Sequence, residues 1–358
     1  MGCGGMGRAH LRSILEDMPE FTIASVCDPY PAAIETTREQ FEVGSVYDDF
    51  ERMYDAENLD LVVVATQTRG HFAPTVAALT RDIPVLCEKP IAIDLVEADA
   101  MVEAAAGSRG CLAINQQNHV SPALRKAQEL VRQGTIGDPI LIRGRNKSGR
   151  KSGNEFVEMG THVTDMMLCL GGAVEWCAGT IYRGQRLADV DDIMEATEMS
   201  PRDRDSGLVM GERAVGQYGF ADGLLGEIQF LGYEAGYGTN YGVDILGTAG
   251  QLAMRSSSAA GLWHLPRPMS GSPDEFGDWQ KVELAEASTS LRLATMYREL
   301  MQAHTQGVDP SASGASGRTA FEMILGLYES HRAGGQRISL PLSHRDHPLE
   351  RWRAEKNQ

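Results

Sequence analysis

Short apolar runs alternate with helix-like segments over roughly the first 115 residues of the chain. Four runs have the length and composition of strands buried on both faces, at 21–27, 61–65, 84–87 and 111–114. The intervening segments with helical composition are 31–41, 72–79 and 96–106. Strand–helix alternation of this kind predicts an α/β fold with a parallel, doubly wound sheet.

The pattern changes at a helix signature that follows these segments. Ser121 can act as the N-cap, Pro122 suits the first helical position, and Gly134 can end the helix. We place the domain boundary just before this helix, which gives domains of residues 1–118 and 119–358.

Longer strand candidates separated by turn signals fill most of the region 136–285. Two hairpins are predicted, at 214–220 with 224–231 and at 243–246 with 251–254. The second domain is therefore expected to be α+β, with an open and mostly antiparallel sheet. The charged, aperiodic segment 189–210 is expected to be a surface loop. The last predicted elements are helices at 290–306 and 319–332 and a strand at 338–340.

Composition and charge narrow the functional classes. The 358 residues suffice for two domains with a core each, and 33 basic against 49 acidic residues give a formal net charge of −16. A field of this sign disfavours general binding to nucleic acid or to an anionic membrane surface. No apolar run approaches the roughly 18 residues that a membrane-spanning helix needs, and the six cysteines form no CxxC pair. We therefore expect a folded cytoplasmic protein with reduced thiols.

A glycine-rich segment at the N-terminus has the spacing of a dinucleotide-binding loop. Gly2, Gly4 and Gly7 supply G-x-G-x-x-G, with Cys3, Gly5 and Met6 between them. The glycines would allow a tight turn, close approach of the pyrophosphate and close packing of the following helix. Asp28 ends the next strand, where a carboxylate would accept hydrogen bonds from the adenosine ribose.

The residues after Asp28 favour NAD over NADP, because Pro29 and Tyr30 offer no cation for a 2′-phosphate. Two simpler interpretations remain: the glycines could form a flexible terminus, and Asp28 could be an ordinary turn residue. The loop should also follow a central parallel strand, yet only Met1 precedes Gly2. We expect the first strand to lie upstream of Met1, as a polar or basic residue and about five apolar β-formers; the alternative is that another segment fills its place.

Two further motifs carry a family resemblance. Glu88-Lys89-Pro90 follows a predicted strand, and 160–165, Gly-Thr-His-Val-Thr-Asp, begins near the start of the second half. Supporting matches are Ala65-Thr66 with His71, 133–139, 245–250, Pro310, Ser313-Gly314, Arg318 and 328–330. In their order and spacing these motifs resemble the glucose-fructose oxidoreductase/inositol dehydrogenase (Gfo/Idh/MocA) family over nearly the whole chain.

The resemblance implies a Rossmann domain, an α/β domain with an open antiparallel sheet, and a nicotinamide cofactor between them. It also implies a homodimer or homotetramer built through that sheet. Carried over by position, Lys89 and His162 match the catalytic lysine and histidine, and Glu158 stands where many members have Asp. We further expect Glu158 and Asp165 to bind the substrate, and Thr66, His71, Glu88 and Lys89 to contact the cofactor, although His71 could simply begin a helix. No metal is implied.

The chemistry of these groups is sensible without the resemblance. Oxidation of a secondary alcohol needs a base for the hydroxyl proton, and an imidazole titrates near working pH. His162 is predicted in the first turn of a helix with Thr161 as a possible cap, where the positive helix end would keep it neutral. Asp165, three residues on, could orient the substrate or the ring, and Lys89 could stabilise alkoxide charge. Taken singly, His162 could equally be a capping or core residue and Lys89 a surface loop residue.

A basic cluster precedes these motifs, formed by Arg143, Arg145, Lys147, Arg150 and Lys151. It could attract an anionic substrate, although a solvated strand and loop is the simpler interpretation.

Together these features predict an NAD-dependent oxidoreductase that transfers hydride between nicotinamide and a sugar, cyclitol or related polyol. Two alternatives stay open. One is an NAD-dependent glycosidase or epimerase that uses transient oxidation. The other is a non-catalytic ligand- or cofactor-sensing regulator on the same fold, against which the presence of Lys89 and His162 argues.

Overall fold

The computed structural model describes residues 1–146, 154–199, 205–231, 241–256, 260–267, 278–285 and 288–357. The chain forms two compact units. The first unit comprises residues 1–120, 205–207 and 287–318, and the second comprises 121–204, 208–286 and 319–358. The predicted domain boundary at 118/119 stays a prediction. Residues 287–318, which lie after that boundary in sequence, belong to the first unit.

Strands and helices alternate through the first 114 residues, as predicted. The elements are α1 Gly5–Asp17, β1 Ser25–Cys27, α2 Pro31–Gln40, β2 Ser45–Tyr47, α3 Phe50–Ala56, β3 Val62–Val64, α4 Phe72–Leu79, β4 Val85–Cys87, α5 Leu95–Ala106 and β5 Leu112–Ile114. Each apolar run predicted as a strand contains one, although β1 occupies only the last three residues of the run at 21–27.

The parallel sheet of the first unit is divided into two pieces. One piece pairs β1 with β2, and the other has the order β3-β4-β5. All of these pairs are parallel. The predicted Rossmann-type parallel sheet is confirmed, and β1 and β3 each keep one edge that pairs with no other strand of the described chain.

The remaining elements follow in chain order. Between residues 121 and 285 they are α6 Pro122–Arg132, β6 Pro139–Arg145, α7 Asn154–Glu158, α8 Gly160–Gly171, β7 Val174–Arg183, β8 Arg186–Leu187, β9 Ile193–Glu195, α9 Ala196–Met199, β10 Leu208–Met210, β11 Arg213–Phe220, β12 Leu225–Phe230, β13 Gly242–Gly247, β14 Gln251–Arg255, β15 Gly261–Leu265 and β16 Gln280–Lys281. The last are α10 Thr289–Gln306, α11 Gly314–Arg332, β17 Ile338–Ser339 and α12 Pro348–Lys356.

A ten-stranded sheet forms the centre of the second unit, in the order β16-β15-β14-β13-β6-β12-β11-β7-β17 with β8 beside β7. Both predicted hairpins are present as antiparallel pairs, β11 with β12 and β13 with β14. The pairing of β12 with β6 is parallel. The expected open, mostly antiparallel sheet is therefore confirmed.

Helix α8 packs closely on this sheet because small residues stand where it crosses. A Cβ atom added at Gly144 of β6 would lie 2.5 Å from Val163 and 2.8 Å from Met167. On its other side, the Thr164 hydroxyl donates to the Ala320 carbonyl of α11 at 2.7 Å. The contacts on both sides fix the position of α8, which carries two of the predicted site residues.

The expectation of a surface loop at 189–210 is wrong. Strands β9 and β10 pair antiparallel within this segment, a 3₁₀ turn covers 190–192, and residues 200–204 lie outside the described ranges. Ile193, Leu208, Val209 and Met210 are buried. The buried apolar residues of the two strands stand near the ends of the segment, and the charged residues between them hid the strands from a periodicity argument.

Candidate active site

The glycine loop makes a tight turn from Met1 into α1. Gly2 has φ +84°, and a Cβ atom there would lie 2.5 Å from the Ala65 carbonyl oxygen. A Cβ atom at Gly7 would lie 1.8 Å from the Gly2 carbonyl oxygen. Both positions therefore require glycine, one for the turn and one for the packing of α1 against it.

The N-terminus of α1 is open. Its N-cap, Gly4, offers no side chain, and the first turn contains no acidic residue. A Cβ atom at Gly4 or Gly5 would meet no protein atom within 4 Å. The first backbone N–H groups of a helix have no intrahelical partner and carry partial positive charge. The space above this loop can therefore receive a phosphate group.

Asp28 fastens the loop to the end of β1. Its Oδ2 accepts from the Cys3 N–H and its Oδ1 from the Tyr30 N–H, both at 2.8 Å. The residue is 7% exposed. A carboxylate has about four acceptor positions, so these two bonds leave capacity for ribose hydroxyls. Besides its predicted contact with ribose, Asp28 therefore has a structural function that the sequence did not reveal.

Thr66 and His71 lie at the carboxyl end of β3. The His71 ring is 1% exposed, with Nδ1 2.9 Å from the Pro90 carbonyl oxygen and Nε2 3.2 Å from the Thr66 carbonyl oxygen. The ring thus joins the turn after β3 to the turn after β4. This geometry suits a residue that shapes the cofactor site, whereas direct contact between His71 and the cofactor stays a prediction.

Glu88 is the centre of a buried polar network in the first unit. Its Oε1 lies 2.9 Å from His10 Nε2 and accepts from Asn115 Nδ2 at 2.6 Å. The other ring nitrogen of His10 lies 3.0 Å from the Tyr297 hydroxyl of α10. The backbone N–H of Lys89 donates to Glu88 Oε2 at 3.3 Å. Glu88 therefore connects α1, β5 and the Lys89 backbone.

Glu88 is held in its charged form. Burial alone would raise its pKa, but the hydrogen bond and charge of His10, the nearby charge of Lys89 and the Asn115 hydrogen bond outweigh burial and lower it to about 2. The same Coulombic interaction places a buried negative charge near Lys89. Lys89 itself is half-buried and follows β4 directly.

Sequence reasoning missed His10, Asn115 and Tyr297. His10 lies three residues after Gly7, on the buried face of α1. A histidine in an otherwise helical apolar stripe is a detectable signal, but its partners lie 78 and 287 positions away. The sequence pattern around His10 does not identify partners at such separations.

In the second unit, α7 and α8 carry the other predicted site residues. Glu158 is the last residue of α7, and His162 stands in the first turn of α8, as expected. Asp165 is 1% exposed and lies three residues after His162, on the same side of the helix. The expectation that Thr161 caps the helix is wrong: α8 begins at Gly160 with Met159 as the N-cap and no capping side chain.

The basic cluster is partly neutralised. The side chain of Arg143 pairs with Glu227, and that of Arg145 pairs with Asp244 at 2.6 Å. Lys147, Arg150 and Lys151 lie outside the described residues. Arg143 and Arg145 therefore form ion pairs with carboxylates on neighbouring strands, which favours the interpretation of a strand over that of an anion-binding cluster.

The structure thus assembles two groups. In the first unit it brings together the open loop at Gly2–Gly7, Asp28, Thr66, His71, Glu88 and Lys89. In the second it places Glu158, His162 and Asp165 on two successive helices.

The six cysteines are free, as expected, and five of them are buried.

Comparison with known proteins finds a family match in the N-terminal part of the chain. Residues 1–116 match the family model described as an oxidoreductase family with an NAD-binding Rossmann fold. D-apiose dehydrogenase of Paraburkholderia graminis is 27% identical over 194 residues, which cover 51% of this chain and 52% of that protein. Myo-inositol 2-dehydrogenase of Thermotoga maritima is 23% identical over 263 residues, 70% of this chain and 73% of that protein. The first 116 residues therefore match the Gfo/Idh/MocA family, which the motifs of the chain resemble.

Solved structures extend the similarity in fold to almost the whole chain. A levoglucosan dehydrogenase in complex with NADH and levoglucosan has a TM-score of 0.78 at 19% identity, covering 95% of this chain and 98% of that one. An oxidoreductase from Agrobacterium radiobacter in complex with NAD+, L-tartaric acid and magnesium has a TM-score of 0.74 at 19% identity, covering 94% and 96%. The alignment with D-apiose dehydrogenase, by contrast, spans about half of that protein's length.

Among the described residues, no helix is both long enough and apolar enough to cross a membrane.

Proposed function

We propose that this protein is an NAD-dependent dehydrogenase that transfers hydride between nicotinamide and a secondary alcohol or ketone of a sugar, cyclitol or related polyol. The observation that carries the proposal is the open N-terminus of α1 above the glycine loop, with Asp28 at the end of the neighbouring strand. An uncapped helix end attracts a pyrophosphate, and a carboxylate at this position accepts from ribose hydroxyls. The relatives that act on apiose and inositol support the substrate class.

The cofactor supplies the hydride acceptor when it is bound, and the chain supplies the remaining groups. His162 is assigned as the base that takes the hydroxyl proton, which suits an imidazole in the first turn of a helix. Lys89 is assigned as the cation that stabilises negative charge on the substrate oxygen. Its backbone N–H is fixed by Glu88, which keeps the residue in place at the strand end. Glu158 and Asp165 are assigned to the substrate hydroxyls.

The preference for NAD can be tested at Tyr30, which is 60% exposed and follows Asp28 by two positions. Calorimetric titration of the unchanged protein should show tighter binding of NAD than of NADP. Tyr30→Arg should strengthen NADP binding by roughly tenfold, because a new cation can pair with the 2′-phosphate. Tyr30→Gln removes the ring without adding charge and serves as the control. Equal or tighter binding of NADP by the unchanged protein would refute the preference.

The assigned roles of His162 and Lys89 can be tested by turnover. His162→Ala and Lys89→Met should each lower kcat by roughly 10² or more, the usual scale for loss of a positioned base or charge-stabilising donor. NAD binding, measured by calorimetry, should largely persist. Near-normal turnover of His162→Ala on the true substrate would remove it from the assigned role.

A screen of sugars and inositols for NADH formation would identify the substrate. Each reaction should also be analysed for products at catalytic NAD concentration. Stoichiometric NADH formation supports a dehydrogenase. Bond cleavage or epimerisation without net NADH would instead indicate transient oxidation, and binding of NAD without any turnover across the screen would favour a sensor.

A further inference from the structure

The carboxyl ends of β3, β4 and β5 lie side by side at one edge of the parallel sheet. Val64, Cys87 and Ile114 occupy the same level of the three strands. The ladder continues for one residue beyond this level. The Glu88 N–H donates to the Val64 carbonyl at 2.8 Å. The Asn115 N–H donates to the Cys87 carbonyl at 2.7 Å. Glu88 and Asn115 are therefore neighbours at the edge where open α/β sheets bind their ligands.

The charge of Glu88 fixes the orientation of the Asn115 side chain. Asn115 Nδ2 donates to Glu88 Oε1 at 2.6 Å. The pKa of Glu88 is lowered to about 2, so its carboxyl group is ionised at neutral pH. An ionised carboxylate only accepts hydrogen bonds. The amide can therefore meet Glu88 only through its NH2 group, which leaves the carbonyl oxygen on the other side of the amide.

This carbonyl oxygen is a buried acceptor that the described part of the chain does not use. Asn115 is 1% exposed. No donor among the described residues lies within hydrogen-bonding distance of its Oδ1. Buried polar atoms of side chains are nearly always hydrogen-bonded in folded proteins, so an unused one calls for a partner from outside the chain.

The backbone around Asn115 holds the acceptor in place. Asn115 is the central residue of a three-residue turn, in which the Gln116 N–H donates to the Ile114 carbonyl at 2.6 Å. On the other side of β5, the Ile114 N–H donates to the Ala312 carbonyl at 2.9 Å. Both the main chain and the side chain of Asn115 are therefore fixed before a ligand arrives, which lowers the entropic cost of binding.

A second unused oxygen stands at the same edge of the sheet. The buried hydroxyl oxygen of Thr66, two residues after β3, has no hydrogen-bond partner among the described residues. The strands β3 and β5 flank β4, which leads into Glu88 and Lys89. Unused polar atoms thus stand on both sides of the Glu88-Lys89 turn. Thr66 was predicted to contact the cofactor, whereas Asn115 was not.

We propose that the Asn115 carbonyl oxygen accepts a hydrogen bond from the carboxamide NH2 of the nicotinamide ring and so selects dinucleotides that carry this group. The inference rests on the proposed function, because it needs a nicotinamide cofactor. A substrate hydroxyl could supply the same donor. The cofactor is favoured because Asn115 belongs to the unit that contains the glycine loop and Asp28, to which the pyrophosphate and ribose are assigned.

Glu88 then acts as a positioning residue for Asn115. His10 Nε2 lies 2.9 Å from Glu88 Oε1 and helps to keep the carboxylate ionised. The charge turns the Asn115 NH2 group towards Glu88 and leaves the oxygen for the ligand. A reversed amide would present NH2 to the ligand, and NH2 pairs with a carbonyl group rather than with another NH2.

The test is calorimetric titration of the full chain with dinucleotides in the absence of substrate. In 3-acetylpyridine adenine dinucleotide a methyl group replaces the carboxamide NH2. The unchanged protein should bind this analogue roughly tenfold more weakly than NAD, because the bond is lost and the buried acceptor stays unpaired. Thionicotinamide adenine dinucleotide keeps the NH2 group and should bind within about threefold of NAD. Without substrate present, a substrate hydroxyl cannot produce the difference.

Two variants of Asn115 and one control separate the oxygen from the network. Asn115→Leu removes the acceptor at similar volume and should bind NAD and the acetyl analogue within about threefold of each other. Asn115→Ala should give the same result and replaces the leucine variant if that variant does not fold. His10→Phe removes another partner of Glu88 but leaves the Asn115 oxygen in place. It should lower Tm and keep the tenfold discrimination.

Equal binding of NAD and the acetyl analogue by the unchanged protein would overturn the proposal and leave the oxygen to a substrate hydroxyl. Full discrimination by the Asn115 variants would also overturn it, because the carboxamide NH2 would then bond elsewhere. If the unchanged protein bound none of the three dinucleotides, the proposed function would fail together with this inference. Binding of NAD without discrimination would refute this inference alone.

Discussion

Replacing Glu88 by glutamine should lower the free energy of unfolding by about 3 kcal/mol at neutral pH. Glutamine preserves the shape and can still accept from Asn115, but it removes the charge that faces His10 and Lys89. In the folded protein the pKa of Glu88 is lowered from 4.5 to about 2. A difference of that size corresponds to about 3 kcal/mol, at about 1.4 kcal/mol per pH unit.

The pH dependence gives this prediction its sharpest form. Because the folded pKa of Glu88 lies below the unfolded one, its contribution is complete above pH 4.5 and is lost as the pH falls towards 2. Urea unfolding followed by circular dichroism should therefore show a difference between the two proteins that is largest above pH 5 and shrinks at lower pH.

A matched control uses the same chemical change at a surface pair. The Glu35 side chain is 67% exposed and lies 3.6 Å from Arg38. Exposed pairs of this kind contribute little, so Glu35→Gln should leave unfolding nearly unchanged at every pH. A constant difference between the Glu88→Gln protein and the unchanged protein from pH 6 to pH 3 would refute the reasoning, because the charge of Glu88 would then not be its source.

Two further predictions concern the loop and the helix caps. Gly7→Ala should abolish NAD binding and markedly lower Tm, because its Cβ would lie 1.8 Å from the Gly2 carbonyl oxygen. Gly4→Ala should weaken NAD binding and leave Tm unchanged, because its Cβ would meet no protein atom within 4 Å. Calorimetry measures the binding and thermal unfolding measures Tm; equal Tm values of the two variants would contradict the geometry. Ser121→Ala should cost about 1 kcal/mol in urea unfolding, because the Ser121 hydroxyl accepts from the Leu124 N–H at 3.2 Å.

Local signals carried most of the fold prediction. The cap at Ser121, the hairpin turn at Asp222-Gly223 and the apolar runs of β3, β4 and β5 each depend on neighbouring residues, and each is present in the structure. The closing of the glycine loop is equally local, because Gly2 and Gly7 stand five residues apart. Such features are set by the chain over one or two turns, so a single sequence reveals them.

Long-range contacts were not accessible in the same way. The helix α10 was predicted, but its hydrophobic periodicity does not indicate that it packs against α1 in the first unit. Its Tyr297 completes the network of His10 and Glu88, which fixes the backbone of Lys89. A histidine, a glutamate and a tyrosine this far apart in sequence are unremarkable individually, and only the fold makes them one group.

The strand predicted at 21–27 shows that apolar composition alone does not determine where a strand begins. Its apolar residues have the propensity for extended structure, yet only Ser25–Cys27 form β1. These three residues pair with β2 on one side and lie next to the Gly2 bond at Cys27 on the other. The preceding residues 21–24 belong to no strand, although the Ala24 carbonyl still accepts from the Ser45 N–H of β2 at 3.2 Å. Because β-propensity largely reflects packing against neighbouring strands, the apolar composition of residues 21–24 is not sufficient to make them part of β1.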